Sequence, residues 1–450
     1  MKVAFVVHQY PPRFHTGTEI YAHRLALTLR RRGHDVQVFT HEPDITGQTA
    51  MRVADDPVEG VPVTRVTMFE GLAPNHALHD YYDVFTGKVF GAWLDRIRPD
   101  VVHVFHLMGL GLSLIEEAAA RGIPCYVQMM DFWFLCPTVQ LLQRDGSLCS
   151  GPDTPVCVDC LSQDNYGYQA LRLFSKRDGF VETARPDPTL TDVNHPDIGL
   201  RRTALHGRPD FIRGVLDKAT ALVAPSRFLK GMFLGHHYRD QHMLHVPYGV
   251  DAPAGLIRPL PVNGEGTVTF GFFGSVNPQK GLEILVSAFR QYHNERFRLV
   301  VRGNMQHFPK YAKRVRAFAE LDPRITFLGP YGPGELASAL SSIDVLVVPS
   351  VWYENTPFVV LEAFCAGRPV VASDLGGLSE IVIDGRNGRT FRAGDPGALM
   401  NVLREFHDDP SLLGRLSSGI GPVRTLEENA TDFVRLYESA LAPVPAGGRR

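Results

Sequence analysis

The chain has no excess of charge of either sign: across 450 residues, 46 Lys and Arg stand against 48 Asp and Glu, a formal net charge of −2. There is no basic arm or acidic tail, and the charges divide evenly between the two halves of the sequence. A protein that works by bulk neutralisation of nucleic-acid phosphates is thereby excluded. Long hydrophobic runs are missing as well. The opening MKVAFVVHQYPP has only five consecutive apolar residues, Val3 to Val7, before His8, too few for the core of a signal peptide. Residues 101–115 are broken by His103 and His106 and fall short of the roughly 20 residues a membrane span needs. The expectation is a cytoplasmic protein. Peripheral membrane contact is left to Arg30, Arg31, Arg32 and Trp133, and a solvated helix end accounts for those arginines equally well. Six cysteines in 450 residues are too few for a disulfide framework. No G-x-G-x-x-G follows the first strand of either half, which sets a nicotinamide dehydrogenase aside.

What is present is an ordinary globular composition, 44% hydrophobic and 21% charged, on a chain too long for one hydrophobic core. Short apolar runs at residues 3–7, 36–40, 61–67, 101–105 and 124–128 alternate with helix-length amphipathic segments at 18–32, 78–97 and 111–121, the pattern of βαβ units on a parallel sheet. Residues 136–215, rich in Asp, Pro, Gly and Cys, read as an insertion with helix near 166–176 and 200–218. The alternation resumes at 221–224, with Ser226 as the expected cap of the next helix. A linker is expected at 251–266. A second series runs through 268–273, 297–301, 325–328, 345–348 and 369–372. The expected organisation is an N-terminal acceptor-side Rossmann-like domain at 1–250, a C-terminal donor-binding one at 266–424, a helix at 425–441 packing back on the N-terminal domain, and a tail at 442–450. Open parallel sheets bind ligands outside the carboxyl ends of their strands, so two such domains facing across a cleft suit a phosphate-bearing ligand.

The most informative segment is residues 345–388. Glu354 closes the loop after a strand, and Glu362 lies eight positions on, in the apolar run VVLEAFCAG, where an unpaired charge is expensive. Thr356 and Pro357 read as a helix start, with the N–H groups of Asn355 and Thr356 turned toward an anion. In GFFGSVNPQKGL, a strand is followed by Gly274, Ser275 and then Lys280-Gly281 opening a helix. Lysine is scarce, 8 of the 46 basic residues, and the Lys280 ammonium could neutralise a leaving diphosphate or stand as an exposed helix-start charge.

These motifs resemble the retaining glycosyltransferases of family 4, whose two-Rossmann architecture is called GT-B, and the resemblance covers nearly the whole chain. It implies that Glu354 supports the donor sugar, that Glu362 binds the ribose of a nucleoside diphosphate sugar, and that Gly274 and Lys280 hold its phosphates. The family's usual arginine after the first glycine is replaced by Ser275, and Arg302 in LVVRGN is the substitute cation or else a plain surface arginine. Residues 327–332, FLGPYG, match the nucleobase turn. Gly17 and Thr18 match the first glycine loop, which usually has two glycines. Where relatives have His-Asp this chain has Met130-Asp131, and His106 and Asp131 are the expected acceptor-side residues, buried structural histidine being the alternative for His106. Cys136, Cys149, Cys157 and Cys160, with a final Cys-x2-Cys, fit a closed structural zinc site. Reduced core thiols or a redox pair fit the same spacing, while Cys125 and Cys365 read as core.

The resulting expectation is a GT-B glycosyltransferase that needs no cofactor for catalysis. It would move a sugar from a nucleoside diphosphate donor to a glycan, lipid-linked or small hydroxyl acceptor. The rival readings are a sugar phosphorylase or epimerase of the same fold and a non-catalytic nucleotide-sugar sensor.

Overall fold

The computed structural model describes residues 1–44, 51–69, 81–143, 145–162, 196–252 and 266–442. The expected linker, the helix near 166–176 and the tail therefore lie wholly or almost wholly outside the described residues. The chain divides into two compact units, one from Met1–Pro225, Leu229–Pro247 and Leu426–Arg450, the other from Ser226–Phe228 and Tyr248–Thr425.

The first unit is built on β1 (Lys2–Val7), β2 (Asp35–Asp44), β3 (Met51–Asp55), β4 (Val63–Phe69), β5 (Val101–Val104), β6 (Cys125–Gln128), β7 (Ala221–Ala224) and β8 (Met243–His245). They form one sheet in the order β3-β4-β2-β1-β5-β6-β7-β8, parallel except for the β3–β4 pair. Continuous apolar sequence makes β1, β5, β6 and β7 strands covered on both faces, as a parallel sheet between helix layers requires. β3, an antiparallel edge strand, was not expected: its sequence MRVAD is almost wholly solvent-facing and lacks the apolar run of a buried strand. Strand order reverses at β1, between β2 and β5.

The C-terminal helix Leu426–Leu441 belongs to this first unit. The Tyr21 hydroxyl donates to Asn429 Oδ1 at 2.6 Å, and the Tyr126 hydroxyl donates to the Leu436 carbonyl at 2.6 Å. His103 is wedged into this core, its ring 4.3 Å from Phe105 and 4.7 Å from Phe433, so it is a packing residue rather than a site residue.

Of the residues read as a possible membrane contact, Trp133 is buried, and the three arginines have partners within the protein. Trp133 is 2% exposed and lies under the Arg208 guanidinium. Arg30 pairs with Asp35, Arg31 with Glu427, and Arg32 donates to Thr431. Among the described residues no helix is long and apolar enough to cross a membrane.

The second unit carries β9 (Val268–Phe273), β10 (Phe297–Arg302), β11 (Ile325–Phe327), β12 (Val345–Val348), β13 (Val370–Ser373) and β14 (Gly388–Phe391), all parallel, in the order β11-β10-β9-β12-β13-β14. β14 escaped sequence reading because only Gly388 and Phe391 of its four residues are buried. Its core is layered from Phe270, Phe289, Phe297 and Phe406 on one face and Ile343, Leu346, Val360 and Leu378 on the other. β9 is the switch strand: β10 and β11 lie to one side of it, β12 to β14 to the other. Loops leaving β9 and β12 therefore open toward a shared point at the carboxyl edge, where a ligand of such a sheet sits.

Candidate active site

In the second unit, Lys280 leaves the switch strand on a short turn. Asn277 caps it, its Oδ1 accepting from the Lys280 N–H at 3.0 Å. Gly281 then adopts φ +68, and a Cβ there would lie 1.9 Å from the Pro349 carbonyl oxygen, so only glycine lets the β9 and β12 loops touch. The loops are also tied by the Val351 N–H donating to the Gln279 carbonyl at 2.9 Å. The consequence is a direct ion pair: Lys280 Nζ lies 2.6 Å from Glu354 Oε1.

Glu354 is 6% exposed, yet well supplied with donors. Its Oε1 also accepts from the Ser350 hydroxyl at 2.7 Å and the Trp352 indole N–H at 2.9 Å. The Lys280 ammonium lies 5.4 Å from the Trp352 ring centroid. Behind the loop, Gly376 and Gly377 press on its backbone, and the Gly377 N–H donates to the Glu354 carbonyl at 2.8 Å. Ser226 stands directly before the helix Arg227–Leu234, as expected of its cap position; its hydroxyl donates to Asn355 Oδ1 at 2.6 Å, while Glu380 accepts from the Arg227 and Phe228 N–H groups.

Arg302 ends β10 beside the first glycine of the β9 loop, its carbonyl accepting from the Gly274 N–H at 3.0 Å. Gly274 has φ +150, and a Cβ on Gly303 would fall 1.9 Å from the Gly274 carbonyl. The Arg302 Nε is buried without a hydrogen-bond partner, and so is the Thr356 hydroxyl at the start of the helix Phe358–Cys365. Burial pushes the Tyr331 phenol well up, Glu362 adding to the shift and Arg302 opposing it, so both charges lie within range of Tyr331. Ser275 is half-buried, and its carbonyl accepts from the Asn277 N–H.

The structure thus joins Lys280 and Glu354 directly, draws Gly274 against Arg302, and sets Arg302 and Glu362 about Tyr331. Sequence reading missed Ser350, Trp352 and the two glycines. Neither Ser350 nor Trp352 carries a sequence signal of its own, because their role depends on the cation that the β9 loop brings beside them.

The first unit holds the other predicted residues. Gly17 opens the helix Gly17–Arg31 itself, after Thr16, and Thr18 is half-buried in its first turn. Thr16 donates to Glu19, which is 1% exposed and meets His8 at 3.3 Å. The His8 ring packs on His106 at 4.4 Å, and His106 Nε2 lies 2.9 Å from Asp131 Oδ2. His106 Nδ1 accepts from the Met108 N–H, which leaves Nε2 as the donor to Asp131. Asp131 accepts also from the Trp133 N–H and keeps 28% of its side chain in solvent. Burial pushes the His8 imidazole well down and the Glu19 carboxyl up.

The four clustered cysteines are free thiols, Cys136 and Cys160 buried, Cys149 and Cys157 half-buried. Burial, with smaller contributions from Cys136, Cys149 and Cys160, pushes the Cys157 thiol up to about 11, so the other three lie within charge range of Cys157. The Gly151 N–H points at Cys149 Sγ at 3.5 Å. Among the described residues, however, no three His, Cys, Asp or Glu side chains are placed to hold a metal ion. Cys125 and Cys365 are buried.

Two family models match the chain, "Glycosyl transferase 4-like domain" over residues 16–249 and "Glycosyl transferases group 1" over residues 267–409. A D-inositol 3-phosphate glycosyltransferase of Streptomyces coelicolor is 34% identical over 419 residues, 89% of this chain and 81% of the relative. An uncharacterised glycosyltransferase of Methanocaldococcus jannaschii is 32% identical over 253 residues, 56% of this chain and 64% of the relative. Among solved structures, a sucrose-phosphate synthase from Thermosynechococcus elongatus (TM-score 0.61, 18% identity, 98% of this chain and 100% of that one) and Anabaena HepE in complex with UDP-glucose (TM-score 0.63, 16% identity, the same coverage) share the fold. The fold and matches define a glycosyltransferase of the GT-B class. The chain belongs to the family of group 1, 4-like glycosyltransferases.

Proposed function

We propose that the protein transfers a sugar, with retention of anomeric configuration, from a nucleoside diphosphate sugar to a hydroxyl of a glycan, lipid-linked or small-molecule acceptor. The observation that carries this reading is the Lys280–Glu354 pair at 2.6 Å, held at the strand-order switch of the second unit. A diphosphate arriving there competes with Glu354 for the ammonium, and the Arg302 guanidinium stands at the next strand end as a second cation. As the bond from C1 of the sugar to the phosphate oxygen breaks, negative charge collects on the diphosphate, which Lys280, Arg302 and the N–H groups of Asn355 and Thr356 would stabilise. Positive charge collects at C1, where the Glu354 carboxylate supports it. The acceptor oxygen bonds to C1 from the same face, and its proton passes to the departing phosphate oxygen. Glu362 takes the ribose hydroxyls, with Gly274 and Ser275 along the phosphates. On the first unit, the Asp131 carboxyl, oriented by His106, would accept from an acceptor hydroxyl, with Gly17 and Thr18 at the neighbouring loop. Fold neighbours solved in complex with UDP and UDP-glucose support a nucleotide-sugar donor. Six cysteines in 450 residues, too few for a disulfide framework, support a reducing, cytoplasmic setting.

A panel of nucleoside diphosphate sugars and acceptors tests the function. Glycoside formation with equimolar nucleoside diphosphate release, the anomeric centre retained by NMR, is the expected result. Release of inorganic phosphate with sugar phosphate, epimerised donor, or tight binding without turnover would each contradict it.

A structural zinc held by Cys136, Cys149, Cys157 and Cys160 completes the reading. The support is the donor chemistry, four cysteines in one segment near enough for the other three each to raise the Cys157 thiol, and a bound ion would have to draw them closer than they stand. Elemental analysis of the purified protein is expected to give one zinc per chain. Metal-free protein with all its thiols titratable without denaturant would remove the metal.

A further inference from the structure

The ammonium that neutralises Glu354 is also the one a bound diphosphate draws on, so the Lys280–Glu354 pair weakens as the lysine turns toward the diphosphate. Something must hold the carboxylate when Lys280 swings away. Three donors converge on Glu354 Oε1 from one side, and two of them, the Ser350 hydroxyl and the Trp352 indole N–H, come from the same loop and stay when the lysine leaves. Trp352 differs from Ser350 in touching both partners. Its N–H lies 2.9 Å from Oε1, while its ring lies under the ammonium at 5.4 Å.

We infer that Trp352 is the positioning residue of the donor site. Its N–H keeps Glu354 oriented after the ion pair opens, and its π face keeps Lys280 near the diphosphate it moves to. The indole suits both tasks, since it is the strongest aromatic partner for a cation and its edge is a donor only, matched to a carboxylate. The inference deepens the proposed donor reading and rests on it.

The two tasks separate by mutation. Trp352→Phe keeps a ring beneath Lys280 and loses the N–H, and its expected effect is a fall in kcat of about tenfold, the scale of one hydrogen bond to a charged group, with donor KM within about twofold of wild type. Trp352→Leu loses both, so donor KM should also rise, by a few-fold. Trp352 is one of three tryptophans, and the other two, Trp93 and Trp133, are buried in the first unit. Titration with UDP, ADP and GDP should therefore change the tryptophan emission of the wild type through withdrawal of Lys280, and that change should vanish in Trp352→Phe. Wild-type kcat in Trp352→Phe, an emission change that survives in it, or equal losses in kcat and in melting temperature that accompany a raised KM would overturn the inference. Glu354→Gln keeps the failures distinguishable. If it is inactive while Trp352→Phe is unimpaired, only the role of Trp352 falls. Should Glu354→Gln turn over normally, or none of the diphosphates bind, the donor reading falls with it.

Discussion

Glu354 sits almost out of water with three donors on one carboxylate oxygen, an arrangement whose parts are each small and whose sum fixes a charge. At this scale the sequence was readable where chemistry and spacing coincide. The Glu354–Glu362 interval and the isolated Lys280 pointed at the site because a charge in an apolar run needs a partner. Ser350 and Trp352 were not legible, since neither residue type signals a role until a neighbouring loop brings the cation that makes their positions matter. The same holds for His8 and Glu19, which follow an apolar strand and open a helix as ordinary polar residues, and become a buried string only when β1 and β5 lie side by side. One residue is more telling than its type. Gly281, at φ +68 and with a Cβ position 1.9 Å from the Pro349 oxygen, is the hinge on which Lys280 reaches Glu354. Gly281→Ala is expected to cost about 1–3 kcal/mol of stability from the strained backbone, more with the clash, and to remove nucleoside diphosphate binding. Thermal melts and calorimetric titration of the variant read both effects, and unchanged binding would separate the turn from the site.

Among elements, the strands were legible because parallel strands buried on both faces are continuous apolar runs, and the exceptions follow the same physics. β3 and β14 lack such runs because one is a solvent-facing edge and the other only half buried. The strand ends of the first unit collect buried histidines, and these give its stability a pH dependence. Burial holds His41 at about 4 and His103 at about 3, and holds His8 well below the ordinary 6.5. Between those values and 6.5 the unfolded chain binds protons that the folded unit does not, so stability is lost as pH falls below about 6.5. Each group contributes up to about 1.4 kcal/mol per pH unit across that window. Glu19, its carboxyl raised by burial, works the other way above its ordinary 4.5, one group against three. The melting temperature should therefore drop on going from about pH 7 to about pH 5, and a flat or rising profile would contradict burial of these rings.

For the whole molecule, two doubly wound sheets of eight and six strands each place their chemistry at the strand where order reverses, β1 in the first unit and β9 in the second. The expected class of protein was legible at this scale because βαβ alternation runs through both halves. Residues 253–265, expected as linker, lie outside the described residues. The charge balance of the chain fits a protein whose cations are spent singly, as Lys280 and Arg302, rather than as a surface field. The account is tested most directly by calorimetric titration of nucleoside diphosphates into wild type, Lys280→Ala and Glu354→Gln. It predicts affinity lost by about tenfold or more in Lys280→Ala. In Glu354→Gln, which frees the ammonium from its carboxylate, affinity should be kept or raised while sugar transfer falls by about two orders of magnitude. Equal affinity in wild type and Lys280→Ala, or full turnover by Glu354→Gln, would contradict it.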